Sequence, residues 1–265
     1  MKILNGADLR DFIKERQAHQ AASLKSKRPT LLIIRDSDNP VIEKYVSLKI
    51  KYGEDIGVTV IDHFSPTLDD IKSTIASAND NPEIHGIILQ LPLRPELKDQ
   101  ADALTTTIAP EKDVDGLSGH GQFDSATATA ILWLLAGYDI NLANKKIAVV
   151  GRGKLVGAPL YQMLIASGYT TEIFHRGSDL TKLKNFDIII TATGFPGLIL
   201  SDYVSPGAVL IDAGTASEKG ILKGDLSSEL RAREDLAAIT PEKGGVGPLT
   251  VACLFDHLLT ACAAA

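Results

Sequence analysis

Glycines in the middle of the chain have the spacing that nucleotide chemistry requires. Gly151-Arg152-Gly153 directly follows the apolar run Ile147-Ala148-Val149-Val150, and Gly157 comes four residues after Gly153. Glycines between a buried strand and a helix let the backbone approach a pyrophosphate closely, while the first amides of the helix face the anion. We predict a variant dinucleotide-binding turn. A glycine-rich turn that only packs a helix on a sheet is the alternative.

The end of the next predicted strand indicates which dinucleotide is bound. That strand ends at Phe174 and is followed by His175 and Arg176. NAD-binding folds usually place an acidic residue here for the ribose 2′-hydroxyl, whereas an arginine suits a 2′-phosphate. Arg152 adds a second cation, so NADP is predicted and NAD stays possible. Two later strands end in small residues, where ligands of open sheets bind: Thr193, Gly194 and Thr215.

A lysine interrupts the apolar face of a predicted helix. Asp38-Asn39-Pro40 predicts the start of this helix and Gly57 its end. Lys49 falls inside the apolar arc, one turn from Tyr45. Desolvation there would lower the pKa of the ammonium and let Lys49 move protons near neutral pH, unless the side chain reaches past the arc to water. The arc comprises Val41, Ile42, Tyr45, Val46, Leu48, Tyr52 and Ile56.

Two further polar residues stand where they could serve the same chemistry. Gln90 comes at the end of the strand predicted over residues 86–91, just before Pro92. Asp115 lies in an Asp- and Gly-rich segment at the predicted lobe junction. A ligand site at the carboxyl end of a sheet would use such groups. An ordinary strand-end amide and an Asx turn are equally compatible with the local sequence.

The order of apolar runs and helical patterns predicts two α/β lobes with parallel sheets. One lobe covers residues 1–120 and is completed by a C-terminal helix at 249–263, with Pro248 in its first turn. The other covers residues 121–247, after a helix near 125–136. The predicted strands cover residues 30–35, 58–64, 86–91, 146–150, 171–174, 187–191 and 209–212.

Composition limits the classes of function. The 265 residues include 45% hydrophobic residues, which is enough for real cores, and carry a net charge of -6, which disfavours nucleic acid as a partner. The sequence shows no secretory signal pattern and no long apolar run, so we expect a cytoplasmic protein without a membrane partner. Cys253 and Cys262 face different sides of one predicted helix, and their spacing predicts neither a disulfide nor a metal site.

Short strings along nearly the whole chain resemble the bifunctional methylenetetrahydrofolate dehydrogenase/cyclohydrolase family, in the order in which that family has them. Each string is weak alone, but the ordered set is specific. The strings are Tyr45-x-x-x-Lys49, Gln90-Leu91-Pro92-Leu93, Pro110-Glu111-Lys112-Asp113-Val114-Asp115-Gly116, Val149-Val150-Gly151-Arg152 with Val156-Gly157-x-Pro159, Ala192-Thr193-Gly194, and Gly244-Gly245-Val246-Gly247-Pro248-Leu249-Thr250.

The resemblance implies a folate-binding catalytic lobe, a Rossmann-type NADP lobe and a C-terminal helix that returns to the first lobe. It implies NADP-dependent oxidation of 5,10-methylenetetrahydrofolate and hydrolysis of the methenyl product to 10-formyltetrahydrofolate, in a homodimer and without a metal. By resemblance Lys49 is the catalytic lysine, Tyr45 stacks on the folate, Gln90 tunes the lysine and Asp115 binds the pterin. Further residues implied are Leu91, Gly247 and Pro248 for substrate, and Thr127 and Val156 for the nucleotide.

Departures from the family pattern keep other interpretations open. A bridge that is usually proline-rich reads Ser125-Ala126-Thr127-Ala128-Thr129-Ala130, Gly153 replaces a common serine, and the basic residue at Arg176 is shifted by one place. The chain could therefore retain one activity, or bind folate or nucleotide without catalysis. A dehydrogenase of amino or hydroxy acids on the same plan is a third possibility.

Overall fold

The computed structural model describes residues 1–24, 27–214, 216–218 and 221–265. Contacts divide the chain into two compact units. Asp11–Ala126 with Val251–Ala265 form the unit that carries Lys49, here called the lysine unit. Met1–Arg10 with Thr127–Thr250 form the unit that carries Gly151, here called the glycine-turn unit.

Strands and helices alternate over most of the described residues. The helices are α1 (Gly6–Ser23), α2 (Pro40–Ile56), α3 (Leu68–Asp80), α4 (Ala101–Thr105), α5 (Ala126–Gly137), α6 (Gly157–Ala166), α7 (Ser228–Arg231) and α8 (Val246–Ala264). The strands are β1 (Lys2–Ile3), β2 (Thr30–Arg35), β3 (Thr59–Phe64), β4 (Gly86–Leu89), β5 (Lys146–Val150), β6 (Thr170–Phe174), β7 (Ile188–Thr191), β8 (Val209–Asp212), β9 (Ala216–Glu218), β10 (Ile221–Lys223) and β11 (Ala238–Ile239).

The lysine unit is built on a parallel sheet with strand order β3-β2-β4. The central strand β2 is apolar on both faces, as expected for a strand covered by helices on both sides. Ile34 of β2 pairs with Leu89 of β4, so both strands end at the same edge of the sheet. The residues packed around this sheet are Leu32, Ile34, Ile71, Ile75, Ala78, Ile84, Ile87, Leu89, Leu93, Leu104 and Ile108.

Helix α2 turns most of the predicted apolar arc inward. It begins at Pro40 and ends at Ile56, and Gly57 follows with φ +78°, the left-handed conformation that ends helices. Ile42, Val46, Tyr52 and Ile56 are buried. Leu48 is 52% exposed, so its place in the predicted arc is wrong, because it lies at the outer edge of the projection. The side chain of Val41 lies outside the described residues.

Buried polar contacts connect α2 to α1 and α8 within the lysine unit. The Tyr52 hydroxyl donates to Gln17 Oε1 at 2.7 Å, and Gln17 Nε2 donates to the carbonyl of Ala252 at 2.8 Å. The Tyr52 ring also stacks on Phe255, with centroids 4.9 Å apart. The C-terminal segment therefore fixes the helix that carries Lys49.

The glycine-turn unit contains, among the described residues, a six-stranded sheet with order β1-β11-β8-β7-β5-β6. Its neighbouring strands pair in parallel. After β5 the chain passes to β6 on one side and then to β7 on the other side of β5. Ligands of open α/β sheets bind at such a switch point, beyond the carboxyl ends of the strands.

The predicted strands are confirmed within two residues at each end, and those at 30–35, 146–150 and 209–212 are confirmed in full. The sequence missed β1 and β11, which have two residues each and thus no periodicity, and the antiparallel β9 and β10 pair. The last helix begins at Val246 rather than at residue 249, because Pro248 fits inside its first turn.

Helix α8 is more apolar than the sequence analysis recognised. Among the described residues it is the one helix long and apolar enough to cross a membrane, with a mean hydropathy of 1.5. Core packing accounts for that composition, since 61% of the apolar stretch is buried within the protein. Both cysteines lie on this helix and are buried.

Candidate active site

Lys49 and Gln90 meet at the carboxyl edge of the sheet in the lysine unit. Gln90 follows β4 directly and is buried, with its backbone N–H donating to the carbonyl of Ile34 at 2.8 Å. The Lys49 ammonium nitrogen donates to Gln90 Oε1 at 2.7 Å. Gln90 Nε2 donates to the carbonyl of Leu91 at 2.9 Å, which fixes the amide with its oxygen toward the lysine. The half-buried Leu91 precedes Pro92 through a cis peptide bond.

Asp115 completes a desolvated group of opposite charges around Lys49. Burial lowers the pKa of Lys49, and the negative charge of Asp115 opposes that shift. Burial likewise raises the pKa of Asp115 to about 6, against the effect of Lys49 and together with the nearby Asp113 carboxylate. Each charge costs desolvation free energy that the other only partly offsets. The protonated form of Lys49 is therefore less favoured than that of a lysine in water.

The segment that carries Asp115 is held by its neighbours Asp113 and Lys112. The buried Asp113 carboxylate accepts from the backbone N–H of Gly116 at 3.1 Å and of Ser118 at 2.8 Å. Lys112 Nζ donates to the carbonyls of residues 78, 79 and 81, where α3 ends. Asp113, rather than Asp115, therefore makes the Asx-type turn. The Asp115 carboxyl is left to interact with Lys49.

A buried histidine supports the same segment from α8. His257 Nδ1 lies 2.9 Å from the carbonyl of Val114, and since a carbonyl only accepts, Nδ1 carries the proton. The ring stacks on Phe123, with centroids 4.6 Å apart, and burial lowers its pKa. His257 is thus held as a neutral imidazole beneath the backbone of Asp115. No pattern in the sequence indicates this contact, which joins residues 143 positions apart.

Tyr45 lies one helical turn before Lys49 on α2 and is half-buried. Its ring therefore neighbours the lysine on the same helix face. Gly247 and Pro248 lie in the first turn of α8, and Thr127 lies in the first turn of α5. These three residues belong to the glycine-turn unit.

A cavity of about 630 Å³ lies at the switch point of the glycine-turn unit. Its wall includes predicted nucleotide residues from the ends of three neighbouring strands: Gly151, Arg152, Gly153, His175, Arg176 and Thr193. Phe174, Leu180, Phe195 and Leu198 supply apolar wall. Gly194, with φ +68°, follows Thr193 directly, and Val156 precedes the first residue of α6. Thr215 lies outside the described residues.

The glycine turn fits a dinucleotide by its shape. Gly151 has φ +110°, and a Cβ there would lie 2.5 Å from the carbonyl oxygen of Ala192. A Cβ on Gly157 would lie 2.0 Å from the carbonyl oxygen of Gly151. Only glycine at both positions brings the turn this close to the start of α6, and the N-terminus of a helix favours an anion such as a pyrophosphate. A Cβ on Gly153 would meet no atom within 4 Å, so no steric contact requires glycine at position 153.

The fold and these two groups of residues define a dinucleotide-binding α/β enzyme with a partly buried lysine. Residues 125–265 match the model of the tetrahydrofolate dehydrogenase/cyclohydrolase NAD(P)-binding domain, and residues 4–115 match that of the catalytic domain of the same family. The bifunctional protein FolD 2 of Lactobacillus johnsonii is 38% identical over 97% of this chain and 95% of its own length. The chain belongs to the tetrahydrofolate dehydrogenase/cyclohydrolase family.

Solved structures agree with that assignment. The bifunctional FolD enzyme of Campylobacter jejuni is similar with a TM-score of 0.91 and 31% identity, over 100% of this chain and 99% of that one. The Trypanosoma brucei methylenetetrahydrofolate dehydrogenase-cyclohydrolase, complexed with NADP and an inhibitor, has a TM-score of 0.89 and 27% identity, over 99% of this chain and 97% of that one. The predicted two-lobed α/β fold with a Rossmann-type NAD(P)-binding lobe is confirmed.

The raised pKa of Asp115 predicts a pH-dependent cost of stability. Below about pH 4 the carboxyl is protonated in both states; as pH rises through about 6 the folded protein must charge a desolvated group, and stability is lost. The stability of the wild type relative to Asp115→Asn should therefore fall by about 2 kcal/mol as the pH rises from about 4 to about 7.

Urea unfolding at a series of pH values checks this expectation. Asp99→Asn, which changes an exposed carboxyl of the same unit, should show no such trend. A stability difference between Asp115→Asn and wild type that stays constant from pH 4 to 8 would contradict the account.

Proposed function

We propose that the chain oxidises 5,10-methylenetetrahydrofolate with NADP and hydrolyses the 5,10-methenyl product to 10-formyltetrahydrofolate, with Lys49 as the residue that moves protons. Dehydrogenase and cyclohydrolase activity in one-carbon folate metabolism is the activity of its family. The observation that carries the assignment to Lys49 is its 2.7 Å hydrogen bond to Gln90 beside the Asp115 carboxyl.

The charge state of Lys49 suits both steps. Removal of a hydride from the one-carbon bridge leaves a cationic methenyl group, and a charged ammonium beside it would oppose that cation. A lysine with a lowered pKa spends more time neutral and avoids the repulsion. When water adds to the methenyl carbon, neutral Nζ can accept a proton and return one to the ring nitrogen as the ring opens.

The neighbours of Lys49 have separate tasks in this proposal. Gln90 holds Nζ through an oxygen whose direction the Leu91 carbonyl fixes. Asp115, with a pKa of about 6, hydrogen-bonds the pterin of the substrate. Tyr45 stacks on the folate from the same helix, and Leu91, Gly247 and Pro248 stay predicted substrate contacts. The lysine unit is thus the catalytic domain, and α8 completes it.

The glycine-turn unit is the nucleotide domain in this proposal. The cavity wall supports that role, because the turn at Gly151 leaves room for a pyrophosphate and Arg176 can pair with a 2′-phosphate. The bound dinucleotide supplies the hydride acceptor. Thr127, Val156, Gly194 and Thr215 stay predicted contacts. A homodimer and a cytoplasmic location also stay predictions.

Replacement of Lys49 should separate chemistry from nucleotide binding. Lys49→Met keeps an unbranched chain but removes the proton carrier, so hydrolysis of 5,10-methenyltetrahydrofolate should fall by about 100-fold or more. Binding of NADP, measured by calorimetry, should not change. Lys44→Met is the matched control, because Lys44 lies on the exposed side of the same helix, and it should keep full activity. Undiminished hydrolysis by Lys49→Met would exclude the proposed role.

Replacement of Arg176 should change the choice of cofactor. Arg176→Ala removes a cation suited to the 2′-phosphate, so the KM for NADP should rise about tenfold or more, while the KM for NAD stays within about twofold. Steady-state dehydrogenase assays with both cofactors measure the two values. Lys184→Ala, an exposed cation of the same unit, should leave both unchanged. Equal increases with both cofactors would mean that the 2′-phosphate is recognised elsewhere.

A further inference from the structure

A buried carboxylate lies directly behind the wall of the nucleotide cavity. Asp225 is fully buried in the glycine-turn unit. Its Oδ2 accepts from the backbone N–H of Thr193 at 2.7 Å, and its Oδ1 accepts from that of Phe195 at 3.0 Å. Thr193 and Phe195 both line the cavity. One side chain therefore holds two backbone N–H groups, two residues apart, beyond the carboxyl end of β7.

Several contacts hold Asp225 itself in place. Its backbone N–H donates to Asp212 Oδ1 at 3.0 Å, and its carbonyl accepts from the N–H of Ile199 at 2.9 Å. Asp212 forms an ion pair with Arg231 that is largely shielded from solvent. A Cβ on Gly214 would lie 2.1 Å from the carboxyl carbon of Asp225, so the carboxyl packs directly against Gly214.

Such a group is costly for the fold. Burial raises the pKa of Asp225, and the nearby Asp212 carboxylate raises it further, while the hydrogen bond from Thr193 opposes the shift. A hydrophobic side chain here would avoid the desolvation cost but would leave the Thr193 N–H without this acceptor and the Phe195 N–H with only Thr193 Oγ1, at 3.1 Å. The carboxylate supplies a separate oxygen for each of the two N–H groups.

We infer that Asp225 is a positioning residue for the dinucleotide: it holds the segment Thr193–Phe195 in the shape that forms one wall of the nucleotide cavity. This inference rests on the proposed function, because it concerns the same nucleotide site. Asp225 does not line the cavity, so it acts through the backbone that it binds.

Asp225→Asn tests the inference with little change in volume. The amide presents only one acceptor oxygen, so at least one of the two N–H groups loses its hydrogen bond to residue 225 and faces the NH2 group instead. The KM for NADP should rise about tenfold, while kcat at saturating NADP stays within about twofold. Hydrolysis of 5,10-methenyltetrahydrofolate, which uses no nucleotide, should be unchanged. Asp235→Asn, which alters an exposed carboxylate bound to Arg233, should change neither activity.

A purely structural role gives a different result. Loss of folded protein would lower the apparent kcat and leave the KM for NADP unchanged, and that outcome would overturn the inference. Gly214→Ala is the second variant, and it decides the question if Asp225→Asn does not fold. It keeps the carboxylate but displaces it, and should raise the KM for NADP in the same way. An unchanged KM in Gly214→Ala would also overturn the inference.

The wild-type protein separates this inference from the proposed function. If the wild type forms no NADPH from 5,10-methylenetetrahydrofolate, the proposed function fails. If the wild type is active and Asp225→Asn has the same KM for NADP as the wild type, only the inference about Asp225 fails.

Discussion

The chemistry that we propose for this enzyme depends on keeping an ammonium group where water cannot fully solvate it. Lys49 stands near the centre of the inward face of α2, between Ile42 and Ile56. Its hydrogen bond to Gln90 and the charge of Asp115 are what make that position tolerable. Because neither contact restores the solvation of bulk water, the protonated form stays disfavoured. The lowered pKa is therefore a consequence of placement.

Much of the lysine unit serves to maintain that placement. The parallel pairing of β2 with β4 brings Gln90 to the end of the sheet, and the Tyr52 to Gln17 contact ties α2 to α1. His257 and Asp113 hold the backbone around Asp115. Hydrogen bonds to buried backbone groups are difficult to replace, since each lost partner leaves an unsatisfied group. In the glycine-turn unit, Asp225 likewise accepts hydrogen bonds from backbone N–H groups of the cavity wall.

Local patterns in the sequence predict the parts of this structure that local physics determines. Helical periodicity predicts α2 and puts Lys49 on its inner face, and apolar runs predict the strands of both sheets. The glycine turn is equally local, since Gly151 and Gly157 are needed for a turn closed within a few residues. The resemblance to a known family predicts the activity. The helical periodicity around Lys49 places the lysine but does not predict the reaction.

Contacts between distant residues could not be predicted in that way. The bond between Lys49 and Gln90 joins residues 41 positions apart, and it exists because of the strand order in a sheet. Asp225 interacts with backbone N–H groups, which leave no pattern of side-chain types in the sequence. Leu48 was predicted on the buried face of α2 but is exposed, because a helical projection does not show how wide the buried face is. Packing decides each of these cases.

The most direct test of the account is the titration of the Lys49 side chain by NMR of lysine-labelled protein. The Lys49→Met variant identifies the resonance by its disappearance. The account predicts a pKa below the ordinary lysine value of 10.5, because burial disfavours the charged form more than Asp115 favours it. A pKa at or above 10.5 would contradict it.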